Sequence, residues 1–297
     1  MKTSIKSIVF ILLLLPVFIF SQNKKEVLST IAFEHLRINV ANKDATANWY
    51  VENVGLEIIP SSNKDLIYIA DKDHNFMIEL SSIPNIRNSY TDINIDAFHL
   101  AFEGKKNIEQ VAEKILANKG VKEGELYRNK IGDYVMNVRD PNGFTFQLIY
   151  RVNPFFSKPV KSSIRFEHFA FNTIDQKIAA LWYVEFMDLC IPWSKDIDTT
   201  NNNFRNYRVP YVGDHGKNMS IELFAKEIES SLSNQPHDVI HIAFTTDQPE
   251  ELAKKMIYGG AVKIGQTRTD SNGDIIIDMY DPLKVPIRII KRSKPVL

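Results

Sequence analysis

The stretch Phe33 to Asn53, FEHLRINVANKDATANWYVEN, comes back as FEHFAFNTIDQKIAALWYVEF from Phe166 to Phe186. Phe33-Glu34-His35 reappears as Phe166-Glu167-His168, and Trp49-Tyr50-Val51-Glu52 as Trp182-Tyr183-Val184-Glu185, both displaced by 133 residues. A repeat this long is a doubled domain, not a short-period solenoid. A chain of 297 residues has room for two such copies. With 44% hydrophobic and 24% charged residues it can bury two real cores.

Within the first copy the pattern reads strand, helix, three strands, and then restarts. In the strand Phe33 to Val40, Leu36, Ile38 and Val40 share one face, while His35, Arg37 and Asn39 share the other. A helix is expected from about Ala45 to Val54, ended by Gly55. Three short strands follow, the last placing Glu79 opposite Ile78 and Leu80. The restart, Ala97 to Glu103, sets His99 against Phe98, Leu100 and Phe102. An amphipathic helix from Asn107 to Asn118 follows, with Ile108, Val111, Ala112, Ile115 and Leu116 on one stripe. Asp140-Pro141-Asn142-Gly143 is a turn, and Gln147 lies on the strand after it. The second copy repeats the scheme with His168, Glu222, His241 and Arg288. The Glu79 to Glu222 displacement is 143 residues, so a longer loop is expected around the Asn-rich stretch 201–218. The expected layout is domain one over 30–152, a linker over 153–164 and domain two over 165–292.

Eight side chains thus face away from the aliphatic side of their strands. In sheets backed by helices on the apolar side, those groups converge on a concave face. Two imidazoles and a carboxylate are what Fe, Mn, Ni or Zn as divalent ions accept, and a glutamine amide oxygen can serve as a fourth, neutral ligand. Arg288 stays protonated and cannot bind a cation. Paired with Glu222 it would take the place of an ion in the second copy, or it would grip an anionic substrate. Two groupings remain open. If modules pair within each copy, His35, Glu79, His99 and Gln147 form one cup and His168, Glu222, His241 and Arg288 the other. If modules are exchanged, His35 and Glu79 join His241 and Arg288, while His99 and Gln147 join His168 and Glu222.

Paired βαβββ modules with a histidine on strand one, a glutamate before the midpoint, a histidine on strand five and DPNGFTFQL at the last hairpin resemble the vicinal oxygen chelate superfamily. That superfamily includes the glyoxalase, bleomycin resistance and extradiol dioxygenase proteins. The resemblance implies an α+β fold of tandem modules forming cupped mixed sheets. It carries His35, Glu79, His99 and Gln147 over as metal-ligand candidates. It implies a divalent ion that chelates oxygens of a small organic substrate, and isomerase or lyase chemistry through an enolate, with Glu79 as the catalytic carboxylate. Ring-cleaving oxygenase members have a carboxylate on the last strand, where this chain has Gln147. Arg37 and Asn39 extend the polar face as substrate-contact candidates. The rival class is a protein that sequesters a small molecule without turnover.

The remaining features bound the setting. Lys plus Arg and Asp plus Glu number 36 each, so net charge draws the chain toward neither nucleic acid nor anionic membrane. Lys2 and Lys6 precede an apolar run from Ile8 to Phe20, followed by Ser21-Gln22-Asn23. Residues 1–22 therefore read as a secretory signal cut near Ser21, and imply a periplasmic or secreted protein. The run is too short for a permanent membrane span. Cys190 is the sole cysteine, which excludes an intrachain disulfide.

Overall fold

The computed structural model describes residues 31–92, 98–105, 107–130, 132–154, 164–191, 211–216, 218–226 and 232–296. The signal at 1–22, most of the linker and much of the stretch 201–218 lie outside the described residues.

Four modules follow one another. The first holds β1 (Ala32–Asn39), α1 (Lys43–Asn53), β2 (Glu57–Ile59), β3 (Leu66–Ala70) and β4 (Met77–Ser81). The second holds β5 (Phe98–Gly104), α2 (Ile108–Ala117), β6 (Val121–Lys122), β7 (Tyr127–Arg128), β8 (Tyr134–Arg139) and β9 (Thr145–Tyr150). The third holds β10 (Ile164–Thr173), α3 (Gln176–Met187), β11 (Tyr211–Gly213) and β12 (Ser220–Ala225). The fourth holds β13 (Ile240–Thr245), α4 (Pro249–Tyr258), β14 (Val262–Thr269), β15 (Ile275–Tyr280) and β16 (Pro286–Lys291).

Helix starts follow local chemistry. The Asn42 side chain accepts the Ala45 N–H, so α1 begins two residues before the expected Ala45. Asp175 does the same for α3, accepting from Lys177 and Ile178. Proline opens α4, where a missing N–H costs nothing.

Of the two groupings left open, the exchanged one is the one found. One mixed sheet runs β14-β15-β16-β13-β1-β4-β3-β2, joining the first and fourth modules. The other runs β11-β12-β10-β5-β9-β8-β6, with β7 on β8, joining the second and third. Each seam is an antiparallel pair of first strands, β1 with β13 and β10 with β5. The apolar faces of the two sheets share one core: Phe33 meets Phe169 at 5.6 Å and Phe76 meets Phe166 at 5.4 Å between ring centroids.

The repeated Trp-Tyr pairs pin helices to that core. Trp49 Nε1 donates to the Asn118 carbonyl at the end of α2, and Trp182 Nε1 to the Gly259 carbonyl at the end of α4. The Tyr50 hydroxyl donates to Asp140 and the Tyr183 hydroxyl to Asp281, each in the turn before a module's last strand. Both aromatic pairs are thus structural. Among the described residues no helix is long and apolar enough to cross a membrane.

Candidate metal centres

Each sheet carries one cup, and the strand register assembles it. On the first sheet Arg37 lies beside both His241 and Glu79, Glu79 beside Tyr68, and Ala243 beside Arg288, which lies beside Asp278. On the second sheet Ala170 lies beside both His99 and Glu222, Glu222 beside Tyr211, and Ala101 beside Gln147, which lies beside Asn137. The expected quartet His35, Glu79, His99 and Gln147 is therefore divided, two residues to each cup. The pairing of Arg288 with Glu222 is not formed, because exchange puts them on different sheets.

Donor atoms of His35, Glu79 and His241 lie within 4.8 Å of one another, and so do those of His99, His168 and Glu222. Donors each about 2.1 Å from one ion stand ~3–4 Å apart, so both triads are compact enough to close on a divalent cation. All six residues are buried.

A device not read from the sequence orients the first-strand histidines. Alternation puts Glu34 and His35 on opposite faces, yet Glu34 Oε2 lies 2.9 Å from His35 Nδ1. The register shifts between Phe33 and His35, so Glu34 is the extra residue of a β-bulge, and the bulge brings neighbours together. The third module repeats this: the register shifts between Phe166 and His168, and Glu167 Oε1 lies 2.9 Å from His168 Nδ1. Each glutamate is locked by an arginine. Arg151 donates Nε and Nη2 to Glu167 and Nη1 to Asp133. Arg292 donates Nε and Nη2 to Glu34 and Nη1 to Asp274. Burial alone would raise both glutamates, but His35 and Arg292 hold Glu34 at about 2, and Arg151 and His168 hold Glu167 at about 2. The ionised carboxylates accept from Nδ1–H, which leaves each Nε2 facing its cup. The signal in the sequence was the verbatim Phe-Glu-His; strict alternation hid its meaning.

His241 is set by a different route. Its Nδ1 donates to the His237 carbonyl at 2.6 Å, and the His237 ring donates Nε2 to the carbonyls of Met279 and Ile287. His237 is half-buried and structural, while His74 and His215 are exposed.

The two cups differ in charge. In the first, Glu79 accepts from Arg37 Nη1 at 2.7 Å and from the Tyr68 hydroxyl at 2.6 Å, and Arg288 donates to Asp278 at 2.7 and 3.3 Å. In the second, Ala170 stands where the first has Arg37, and the neutral pair Gln147–Asn137 stands where it has Arg288–Asp278. Glu222 there accepts from the Tyr211 hydroxyl at 2.5 Å and lies 3.0 Å from His168 Nε2 and 4.0 Å from His99 Nε2. No lysine or arginine bonds Glu222 among the described residues. The histidines register the contrast. Burial, with the charges of Arg288, His35 and Arg37, pushes His241 well below the usual imidazole range. Burial would also lower His168, but Glu222 and Glu167 raise it.

The second cup fits a cation better. His168 Nε2 is fully buried and makes no hydrogen bond, although Glu222 lies 3.0 Å away off the bonding line. Gln147 Nε2 donates to Asn137 at 3.2 Å, which leaves the amide oxygen as the atom to offer. In the first cup a cation would add positive charge beside two already present, Arg37 and Arg288. The Glu79 carboxylate expected to do chemistry is held there on both oxygens. Asn39, the other substrate-contact candidate, is fully bonded: its amide bridges Ser81, Ile83 and Arg87, so it anchors the loop after β4.

Residues 32–148 match the model of the Glyoxalase/Bleomycin resistance protein/Dioxygenase superfamily, so over that stretch the chain is similar to that superfamily. The matched residues span the first two modules, which lie on different sheets. Among solved structures, glyoxalase I from Zea mays is similar at TM-score 0.64 and 17% identity, over 89% of this chain and 93% of that one. A point mutant of the same maize enzyme gives TM-score 0.68 and 18% identity, over 89% and 93%. At such identity the likeness extends to the fold. No curated protein matches the chain in sequence.

Proposed function

We propose that this chain is an exported metalloprotein that takes a small organic substrate with neighbouring oxygens, and that it is an isomerase or lyase. The single observation that carries the reading is Glu222: a buried carboxylate with no cationic side chain bonded to it among the described residues, facing two histidine Nε2 atoms. His99, His168, Glu222 and Gln147 would hold a divalent ion, of which Fe, Mn, Ni and Zn all suit the donor set. When bound, the ion supplies positive charge that polarises a carbonyl and stabilises negative charge on its oxygen. Glu222 takes over the role expected of Glu79, that of accepting a proton from the carbon beside the carbonyl. Tyr211 holds one of its oxygens and leaves the other toward the histidines. The layout of residues 1–22 supports export, and the mass of the mature N-terminus tests it.

Elemental analysis of the purified chain should find one ion per chain, lost in His99→Ala and in Glu222→Ala and kept in His241→Ala. Two ions per chain would sink the assignment to one cup. Solvent deuterium exchange beside the carbonyl of a bound α-hydroxyketone, lost in Glu222→Gln, tests the chemistry. Binding without exchange would instead make the protein a sequestering one.

A further inference from the structure

Arg37 differs from the other buried arginines. Arg151, Arg165 and Arg288, and the half-buried Arg292, each set the edge formed by Nε and Nη2 against a carboxylate, of Glu167, Glu103, Asp278 and Glu34 in turn. Arg37 is 7% exposed and bonds through Nη1 alone, to Glu79. Its Nε is buried without a hydrogen-bond partner, and among the described residues its Nη2 has none either. Two parallel N–H groups matched to two carboxylate oxygens are thus left open, and a buried donor is costly to leave unbonded. Glu79 does not fill the edge, since its oxygens are held by Nη1 and by Tyr68. Nor does the scaffold require the arginine, because the second cup has Ala170 in its place.

The same side chain lines a surface cavity of about 400 Å³, together with Lys43, Asp65, Leu66, Ser81 and Pro84. Two cations and one carboxylate line it, an excess of one positive charge. Lys43 Nζ lies 3.4 Å from the exposed Asp44, a contact open to solvent and easily exchanged.

We propose that this cavity, at the Arg37 edge of the first cup, binds the carboxylate of a small organic acid, gripped along the open Nε–Nη2 edge of Arg37 with the Lys43 ammonium beside it. This site is separate from the cup assigned to a metal and does not rest on that assignment. A planar carboxylate is favoured over phosphate because the open edge offers two coplanar N–H groups, the arrangement that the other four arginines already use for carboxylates.

Calorimetric titration of the full-length chain with malonate, and in parallel with inorganic phosphate, tests this. Malonate is expected to bind and phosphate to bind more weakly. Arg37→Lys keeps the charge but lacks the paired N–H groups, and should weaken malonate about tenfold or more. Arg37→Gln should abolish binding, and Lys43→Met should weaken it. Glu222→Ala, which disables the other cup, should leave malonate binding unchanged. Arg37→Gln strips Glu79 of its cation; if that variant does not melt as a folded protein, the Arg37→Lys comparison decides. Absent malonate binding, equal binding by wild type and Arg37→Lys, loss in Glu222→Ala, or a preference for phosphate would each overturn the proposal.

Discussion

Single residues divide the two cups. Where the modules are equivalent, Arg37 stands against Ala170, Arg288 against Gln147 and Asp278 against Asn137. These three exchanges turn one hollow into a set of internal ion pairs and leave the other, among the described residues, with a carboxylate that no lysine or arginine bonds. The orienting glutamates matter at the same scale. Glu167→Gln should lower divalent-metal affinity about 10- to 100-fold, since His168 would lose the partner that fixes its tautomer. Competition against a chromophoric chelator reads this, and Glu34→Gln, in the other cup, should leave that affinity unchanged. Glu167→Ala should also destabilise the fold by ~3–5 kcal/mol, because Arg151 would be left buried without its main partner. Urea denaturation measures that loss.

Two kinds of local element position the sites: bulges on β1 and β10, and aspartate turns before β9 and β16. The turns carry a pH dependence. Burial pushes Asp140 up to about 6 and Asp281 up to about 7, against an ordinary 3.8, despite hydrogen bonds from Phe144 and Asn142 to the first and from Tyr183 and Val285 to the second. A carboxyl whose folded value is raised contributes stability in its protonated form. That contribution is present below about pH 4 and is lost as pH rises through the folded values. Melting temperature should therefore fall between about pH 5 and pH 8, and Asp281→Asn should flatten part of the fall. The bulge glutamates behave oppositely. Their values of about 2, against an ordinary 4.5, mean their stabilisation is full above about pH 5 and is lost progressively as pH falls through about 2.

At the scale of the whole molecule, exchange of modules makes the halves interdependent. β1 pairs with β13, and β5 with β10, so residues 30–152 alone would leave both first strands with an open edge. That fragment should not form a stable monomer, and sedimentation should find dimers or aggregates. A monomer with a cooperative melt would contradict the pairing. Each cup likewise needs residues of both halves.

Sequence alone determined the doubling, the strand-helix-strands order of the modules and the polar face of each first strand, because repeats and period-two alternation are local properties of the chain. The number of strands after the helix was not fixed, being four in the second module and, among the described residues, two in the third. It also marked the eight polar strand positions, since each sits opposite its own aliphatic neighbours. Only the tertiary structure decided which four share a hollow, because within-copy and exchanged pairings bury the same apolar faces and satisfy the same backbone hydrogen bonds. The same holds for Glu34 and Glu167. A bulge is a mismatch between two strands, and it exists only once β1 has met β13 and β10 has met β5.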